Sequence, residues 1–171
     1  AHSAKRALTA IFVDVGPGGY AALRVGVSTA KALAHALNVP IAGVGRLELD
    51  ARLVRDDAGV RRIIAVHRAG RGDVAWAAYR RDGEEIAARI TKPDVLHAEL
   101  RAGDVVTGDI DDGLHARIRD VGAAVATPNA HRVTALARAG GARLATGRLD
   151  DPTALVPLYL RAPAIGPQQR D

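Results

Sequence analysis

The chain has 171 residues, of which 48% are hydrophobic and 25% are charged, and it contains no cysteine. This balance is typical of a globular domain and excludes a chain that is disordered over most of its length. The lack of cysteine excludes disulfides, thiolate nucleophiles and cysteine-ligated metal sites. The net charge of +5 allows an acidic partner such as RNA. No apolar run approaches the ~20 residues that cross a bilayer, so we expect no membrane association.

The first third of the sequence predicts a strand, a glycine loop and a long helix, followed by a second strand and a short helix. From Tyr20 to Leu37, apolar residues recur at spacings of three and four, which is typical of an amphipathic helix. Asn38 and Pro40 then predict its end. The predicted elements are the strand Ala10–Val15, the loop Gly16–Gly19, the helix Tyr20–Leu37, the strand Ile41–Val44 and the helix Leu47–Val54.

The middle of the chain predicts an antiparallel meander, and the remainder alternates helices with strands. Turn signals at Arg71-Gly72 and Arg81-Asp82-Gly83 separate three strands at Arg62–Val66, Val74–Tyr79 and Glu85–Ile90. The elements that follow are Pro93–Leu100 (helix), Asp104–Thr107 (strand), Asp111–Arg119 (helix), Ala123–Ala126 (strand) and Asn129–Ala139 (helix), with Gly140-Gly141 predicted to end the last helix.

The glycine loop is the most distinctive local feature. Free amides at a helix start attract anions, so Gly16, Gly18 and Gly19, with Arg24 one turn into the helix, form a candidate anion-binding loop. The spacing also fits the dinucleotide pattern G-x-G-x-x-A, and Arg46 after the second strand would suit a 2′-phosphate. A tight turn for helix packing explains the glycines equally. A nucleotide-dependent enzyme, either a phosphotransferase or an NADP-type oxidoreductase, therefore stays open, with Asp14 as its nearest carboxylate.

Two further groups of polar residues are candidates for a metal site, namely three aspartates and the histidines. Asp109, Asp111 and Asp112 could bind magnesium or a ribose, but such residues more often cap the next helix. The six histidines are scattered and form no H-x-x-x-H or H-E-x-x-H pair, so we expect no metal site. The arginine-rich composition leaves a basic RNA-binding module as a third hypothesis.

Four stretches, in order along the chain, resemble one known family. Ile11–Val44 is similar to a strand followed by G-P-G-S-F-T-G-L-R-I-G, a helix with A-T-A-K-G-L-A and a G-I-P-L-x-G-V strand. Ala69–Tyr79 resembles a D-A-R-R-G-E-V-Y hairpin, Val105–Asp109 a v-x-G-D strand end, and Pro157–Arg161 a P-x-Y-L-R tail. Together they resemble the TsaB family, also called YeaZ and related to the glycoprotease-like peptidases M22.

The resemblance implies an α/β fold of actin/sugar-kinase/heat-shock-type (ribonuclease H-like) lobes, with an incomplete first lobe and a central antiparallel meander. We therefore expect residues 1–50 to form the remainder of the first lobe and residues 51–163 the second, with a loose tail over residues 164–171. The family's opening segment, which carries a phosphate-type hairpin and a first interface helix, has no counterpart, so the chain is expected to be either a fragment or an N-terminally shortened relative.

The resemblance also implies a function. Members of the family are non-catalytic subunits in the formation of threonylcarbamoyladenosine on tRNA, in the cytoplasm. The expected partners are a TsaD-like catalytic subunit and a TsaE-like ATPase, with a homodimer when the chain is alone and tRNA reached only through the complex. No tightly bound cofactor is expected, and ATP or ADP is expected only at an interface with a partner.

The same resemblance assigns the helix Tyr20–Leu37 to the pairing surface. The residues predicted to contact a partner are Tyr20, Leu23, Val27, Ala30, Lys31 and Ala34. The loop departs from the family at Gly19, Tyr20, Ala21 and Ala22, where the family has Ser, Phe, Thr and Gly. The loss of two hydroxyls that could hold a phosphate or cap the helix makes intrinsic ATP binding unexpected.

Overall fold

A computed structural model of the chain describes residues 8–55, 62–128 and 130–161. Within these ranges the chain forms seven strands and five helices, and they follow the predicted order. The elements are β1 (Ile11–Gly16), α1 (Tyr20–Leu37), β2 (Ile41–Gly45), α2 (Arg46–Val54), β3 (Arg62–Arg68), β4 (Val74–Arg80), β5 (Gly83–Thr91), α3 (Pro93–Glu99), β6 (Val105–Gly108), α4 (Asp112–Asp120), β7 (Ala124–Val125) and α5 (Arg132–Ala145).

The first sheet consists of two parallel strands, β1 and β2, connected by α1. Side chains alternate across a strand, so the two faces of this sheet meet different helices. Val13 packs with α1 in one apolar cluster, whereas the ring of Phe12 lies against Gly140 of α5. The small sheet is thus covered on one face by α1 and on the other by α5.

The second sheet has five strands in the order β5-β4-β3-β6-β7. The predicted meander is confirmed, because β3, β4 and β5 pair antiparallel, whereas β6 and β7 extend the sheet in parallel from β3. Trp76 on β4 is fully buried and packs with Leu96 of α3 and Ile118 of α4. On the opposite face, Leu47 of α2 packs with Tyr79 of β4. The result is a mixed α/β fold of the predicted class.

The last helix corrects the prediction. It runs to Ala145 and passes through Gly140 and Gly141, which the sequence predicts as its end. A Cβ on Gly140 would lie 2.2 Å from the ring of Phe12, so the glycine allows the helix to approach β1 closely. Burial against the sheet therefore outweighs the low helix propensity of the two glycines. Asn129, the predicted start, lies outside the described residues.

The segment after α5 connects the two sheets. The Asp150 carboxylate accepts a hydrogen bond from the Gly43 amide at 2.7 Å, and the Leu158 amide donates to the Val15 carbonyl at 2.7 Å. Beyond these contacts, Arg161 forms an ion pair with Asp73 after β3. The division into residues 1–50 and 51–163 stays a prediction, and the tail over residues 164–171 lies outside the described residues.

Candidate functional site

A cleft of about 390 Å³ opens between the loop after β1, the end of β3 and the C-terminal segment. Its lining is mostly apolar and comes from Pro17–Tyr20, His67–Ala69, Ile90 and Leu158–Arg161. The glycine loop and the strand end of the second sheet therefore face each other across one cavity. Its volume lies within the range of small-molecule sites.

The glycine loop is held tightly against the start of α1. Gly16 has φ of +104°, and a Cβ there would lie 2.8 Å from Leu23 Cδ1. Gly19 is the N-cap of α1 and supplies no side chain to the first turn of the helix. A Cβ on Gly18 would come 3.7 Å from a guanidinium nitrogen of Arg46. The anion-binding role of the glycines stays a prediction, but their packing role is visible in these contacts.

Two tyrosines lie together at the mouth of the cleft. The rings of Tyr20, the first residue of α1, and Tyr159 of the C-terminal segment have centroids 4.9 Å apart. The guanidinium of Arg24 lies 5.4 Å from the centre of the Tyr20 ring. Arg24 also donates to the Tyr20 hydroxyl at 3.4 Å, so it is positioned beside the aromatic pair. Both tyrosine side chains remain substantially exposed.

A histidine–aspartate pair lies on the opposite wall. His67 Nδ1 donates to Asp109 Oδ2 at 2.5 Å. The second ring nitrogen, Nε2, takes no part in this hydrogen bond. Gly108 makes the approach possible, because a Cβ there would lie 2.0 Å from the Val66 carbonyl oxygen. Burial opposes ionisation of Asp109, but hydrogen bonds from His67 and from the Arg68 amide hold the pKa of this carboxyl below its ordinary value.

Two further carboxylates, Asp14 and Asp50, have hydrogen-bond partners within the chain. The Gly16 amide donates to Asp14 Oδ1 at 2.8 Å, and burial raises the pKa of the Asp14 carboxyl despite this bond and the nearby Arg46. The fully buried Asp50 carboxylate accepts from both Nε and Nη2 of Arg132. The hydrogen bond to Asp50 in turn raises the pKa of Arg132. The Asp50–Arg132 pair joins α2 to α5, whereas the Asp14–Gly16 hydrogen bond lies within β1.

The acidic cluster after β6 divides into two roles. Asp111 is the N-cap of α4, where its carboxylate accepts from the Leu114 amide at 2.9 Å, as the capping alternative predicts. Asp109 instead pairs with His67, across 42 positions of sequence. Among the described residues, no group of three or more histidine, aspartate or glutamate side chains could hold a metal ion.

A second cleft, of about 460 Å³, shares Pro17 and Leu158 with the first. Several arginines line it, but one carboxylate binds two of them. Glu48 pairs with Arg52 and with Arg143, each at 2.8 Å. Much of the positive charge of this second cleft is therefore already neutralised within the chain.

All six residues that the sequence assigns to a partner contact other parts of this chain. Val27, Ala30 and Ala34 are buried against β1 and β2. Lys31 donates to the Leu155 carbonyl at 3.0 Å. Tyr20 stacks on Tyr159 and Leu23 packs beneath the glycine loop, as described above. Val27, Ala30 and Ala34 thus belong to the core of the chain, and the assignment of the six residues to a partner stays a prediction.

A second apolar face of α1 points to solvent. It is formed by Ala22, Val25, Gly26, Thr29, Leu33, Ala36 and Leu37, which recur at helical spacing and are all exposed. The exposed fractions are 68% for Val25, 46% for Leu33 and 47% for Leu37. An exposed apolar surface of this kind commonly marks a protein interface. We call these seven residues the outer face of α1.

Comparison with known proteins identifies the family. A family model described as "TsaD: tRNA N6-adenosine threonylcarbamoyltransferase" matches residues 1–100, more than half of the chain. The chain belongs to the family of this model, and proteins named TsaB and YeaZ match the chain as well. It is 32% identical to the Escherichia coli "tRNA threonylcarbamoyladenosine biosynthesis protein TsaB" over 108 residues, which cover 58% of this chain and 46% of TsaB.

Two further proteins match over most of this chain. An uncharacterized Mycobacterium tuberculosis protein is 33% identical over 170 residues, covering 94% of this chain and 67% of its own length. The structure of YeaZ from Pseudomonas aeruginosa superposes with a TM-score of 0.73 at 22% identity, covering 90% of this chain and 74% of that one. The predicted fold class is thereby confirmed, while the chain spans about half the length of E. coli TsaB.

Proposed function

We propose that this chain is a non-catalytic, partner-binding subunit in the biosynthesis of threonylcarbamoyladenosine on tRNA. Its partner would be a TsaD-like catalytic protein. The printed functions of the named relatives support the pathway, because E. coli TsaB is a tRNA threonylcarbamoyladenosine biosynthesis protein and the matching family model is that of the transferase.

The observation that carries the partner-binding role is the outer face of α1. The helix already buries one apolar face against β1 and β2, so its amphipathic pattern is satisfied without the outer face. Val25 and Leu33 nevertheless remain exposed, and Gly26 between them has open space where a Cβ would lie. Small residues beside branched ones let a second helix approach closely, so a helical partner surface fits this face.

The hydrogen bonds of three carboxylates in the chain support a non-catalytic role. The Asp14 carboxylate is held by the Gly16 amide, Asp50 by Arg132 and Asp109 by His67. Carboxylates engaged in this way are poorly placed to bind a metal or a reacting group. The side chains of the glycine loop add no hydroxyl to the cavity.

The proposed location is the cytoplasm. We further propose that the chain joins a complex with a TsaE-like ATPase and forms a homodimer when it is alone. Within residues 8–55, 62–128 and 130–161, no helix is long and apolar enough to cross a membrane. In the homodimer the outer faces of two copies would meet, so the same surface would serve both assemblies in turn.

The test is complex formation with the TsaD-like protein of the same organism. We expect the wild-type mixture to give a mixed complex by light scattering after size exclusion. Val25→Asp combined with Leu33→Asp should weaken this complex at least about tenfold, because two carboxylates would have to be desolvated at the interface. Titration of the labelled partner measures the affinity.

The matched control is Val133→Asp on α5. Val133 is 69% exposed, almost the same as Val25, and it lies on the helix that covers the opposite face of the small sheet. This variant should bind the partner as the wild type does. Equal binding by all three proteins, or loss of binding by Val133→Asp alone, would contradict the assignment of the outer face.

A further inference from the structure

The mouth of the first cleft combines exposed aromatic rings with cations. Tyr20 and Tyr159 stack on each other, and both line the cavity. Arg24 covers the Tyr20 ring from the side of α1. Exposed tyrosines beside arginine are a common platform for unpaired nucleic-acid bases, since every base has a face that can stack.

The opposite rim is positively charged. Arg68 and Arg71, at the end of β3 and in the turn that follows, are exposed, and neither forms an ion pair among the described residues. The carboxylate of Asp73 in the same turn is shared by Lys92 at 2.6 Å and by Arg161. The two basic partners more than neutralise this carboxylate, so the two exposed arginines remain available for phosphates.

We propose that this cleft binds single-stranded RNA directly, with a base against the Tyr20–Tyr159 pair and the flanking phosphates at Arg68 and Arg71. The inference rests on the proposed function for the identity of the RNA, a tRNA, and goes beyond it by giving this subunit its own RNA contact. The cavity of about 390 Å³ is large enough for one nucleotide rather than a folded duplex.

Charge and shape favour RNA over an acidic peptide. A peptide would use the cations but has no need of the stacked tyrosines. A nucleic-acid strand uses both features at once, because its phosphates and bases alternate along one backbone. The outer face of α1 does not include Tyr20 or Arg24, so RNA and the protein partner would occupy different surfaces.

The test uses the full chain and a fluorescein-labelled single-stranded RNA of about ten nucleotides, within the usual span of such sites. Anisotropy at several salt concentrations gives the affinity and its salt slope. Tyr159→Ala should weaken binding about tenfold, whereas Tyr159→Phe should keep most of it, because the ring is retained. Arg68→Ala combined with Arg71→Ala should lower the salt slope by roughly 0.7 per arginine.

Arg138→Ala is the matched control, because Arg138 is also exposed but lies on α5. It should leave both the affinity and the slope nearly unchanged. Thermal unfolding of each variant separates lost binding from lost folding, and Tyr159→Phe keeps the test sharp if the alanine variant loosens the C-terminal segment.

Three results would overturn the proposal. These are no RNA binding at low salt, equal losses in the Arg138 variant, and displacement of the RNA by free AMP or polyglutamate at comparable concentrations. Titration of the TsaD-like partner with Tyr159→Ala distinguishes this failure from failure of the proposed function. Partner binding should persist where RNA binding is lost.

Discussion

The helices α1 and α5 cover opposite faces of the same two-stranded sheet, yet their outward surfaces differ. The outer face of α1 carries Val25, Leu33 and Leu37, whereas α5 exposes one large apolar side chain, Val133, together with polar residues such as Arg138. Both helices use small residues to approach the sheet, Ala30 and Ala34 on α1 and Ala139 and Gly140 on α5. Burial of the sheet therefore explains only the inner surface of each helix.

This difference separates residues that maintain the fold from residues available to a partner. A helix that needs only to cover a sheet can be polar on its other side, as α5 largely is. The second apolar face of α1 has no such explanation within the described residues. The contrast between inner and outer positions of α1, and between α1 and α5, can be tested by substitution.

The largest expected effect is at an inner position of α1. Val27 is 2% exposed and packs in the cluster between α1 and the small sheet. Val27→Asp would bury a carboxylate without a partner, and we expect it to lower the free energy of unfolding by about 4 kcal/mol. Urea denaturation followed by circular dichroism measures this change.

The comparison position is Val25, two residues earlier and 68% exposed. Val25→Asp should change the free energy of unfolding by no more than about 0.5 kcal/mol. Similar destabilisation by both substitutions would contradict the division of α1 into inner and outer faces. A substitution at Val27 would disturb folding and assembly together, whereas the outer positions separate the two effects.

A smaller effect is expected on α5, where two adjacent glycines have different surroundings. A Cβ on Gly140 would meet the Phe12 ring at 2.2 Å, whereas a Cβ on Gly141 has nothing within 4 Å. Gly140→Ala should therefore destabilise the protein by about 1–3 kcal/mol through overpacking. Gly141→Ala should stabilise it by up to about 1 kcal/mol, because alanine is the better helix former.

Thermal unfolding of the two alanine variants provides the measurement. Opposite shifts in melting temperature would show that close approach to β1 sets the need for Gly140. If both variants were stabilised, the contact between Gly140 and Phe12 would not limit the packing of α5.

Local signals were sufficient for most of the fold. The bounds of α1 follow from the glycine loop before it and from Asn38 after it, whose φ of 49° ends the helix in the left-handed conformation. The antiparallel meander follows from its turns. The end of α5 could not be predicted in the same way, because the reason for Gly140 is the ring of Phe12, which is distant in sequence.

The site was less accessible to sequence reasoning. Helical periodicity predicts α1, but this helix has two apolar faces, and periodicity does not say which one the chain itself covers. The pairing of His67 with Asp109 was missed because it depends on the parallel register of β3 with β6. The one available signal was that each residue lies at or just beyond the carboxyl end of a predicted strand.

The smallest expected effect concerns that pair and depends on pH. The folded-state pKa of Asp109 lies below its ordinary value, so the carboxylate contributes stability above the unfolded pKa of about 3.9 and loses it as pH falls through the lower folded pKa. The side chain is 36% exposed, so solvent screening limits the contribution to at most about 1 kcal/mol.

Asp109→Asn should be less stable than the wild type at neutral pH, and the difference in unfolding free energy between the two proteins should disappear in acid. The measurement is the unfolding free energy of both proteins between neutral and strongly acidic pH. A difference that stayed constant with pH would show that the ionised carboxylate is not what holds His67 at the wall of the cleft.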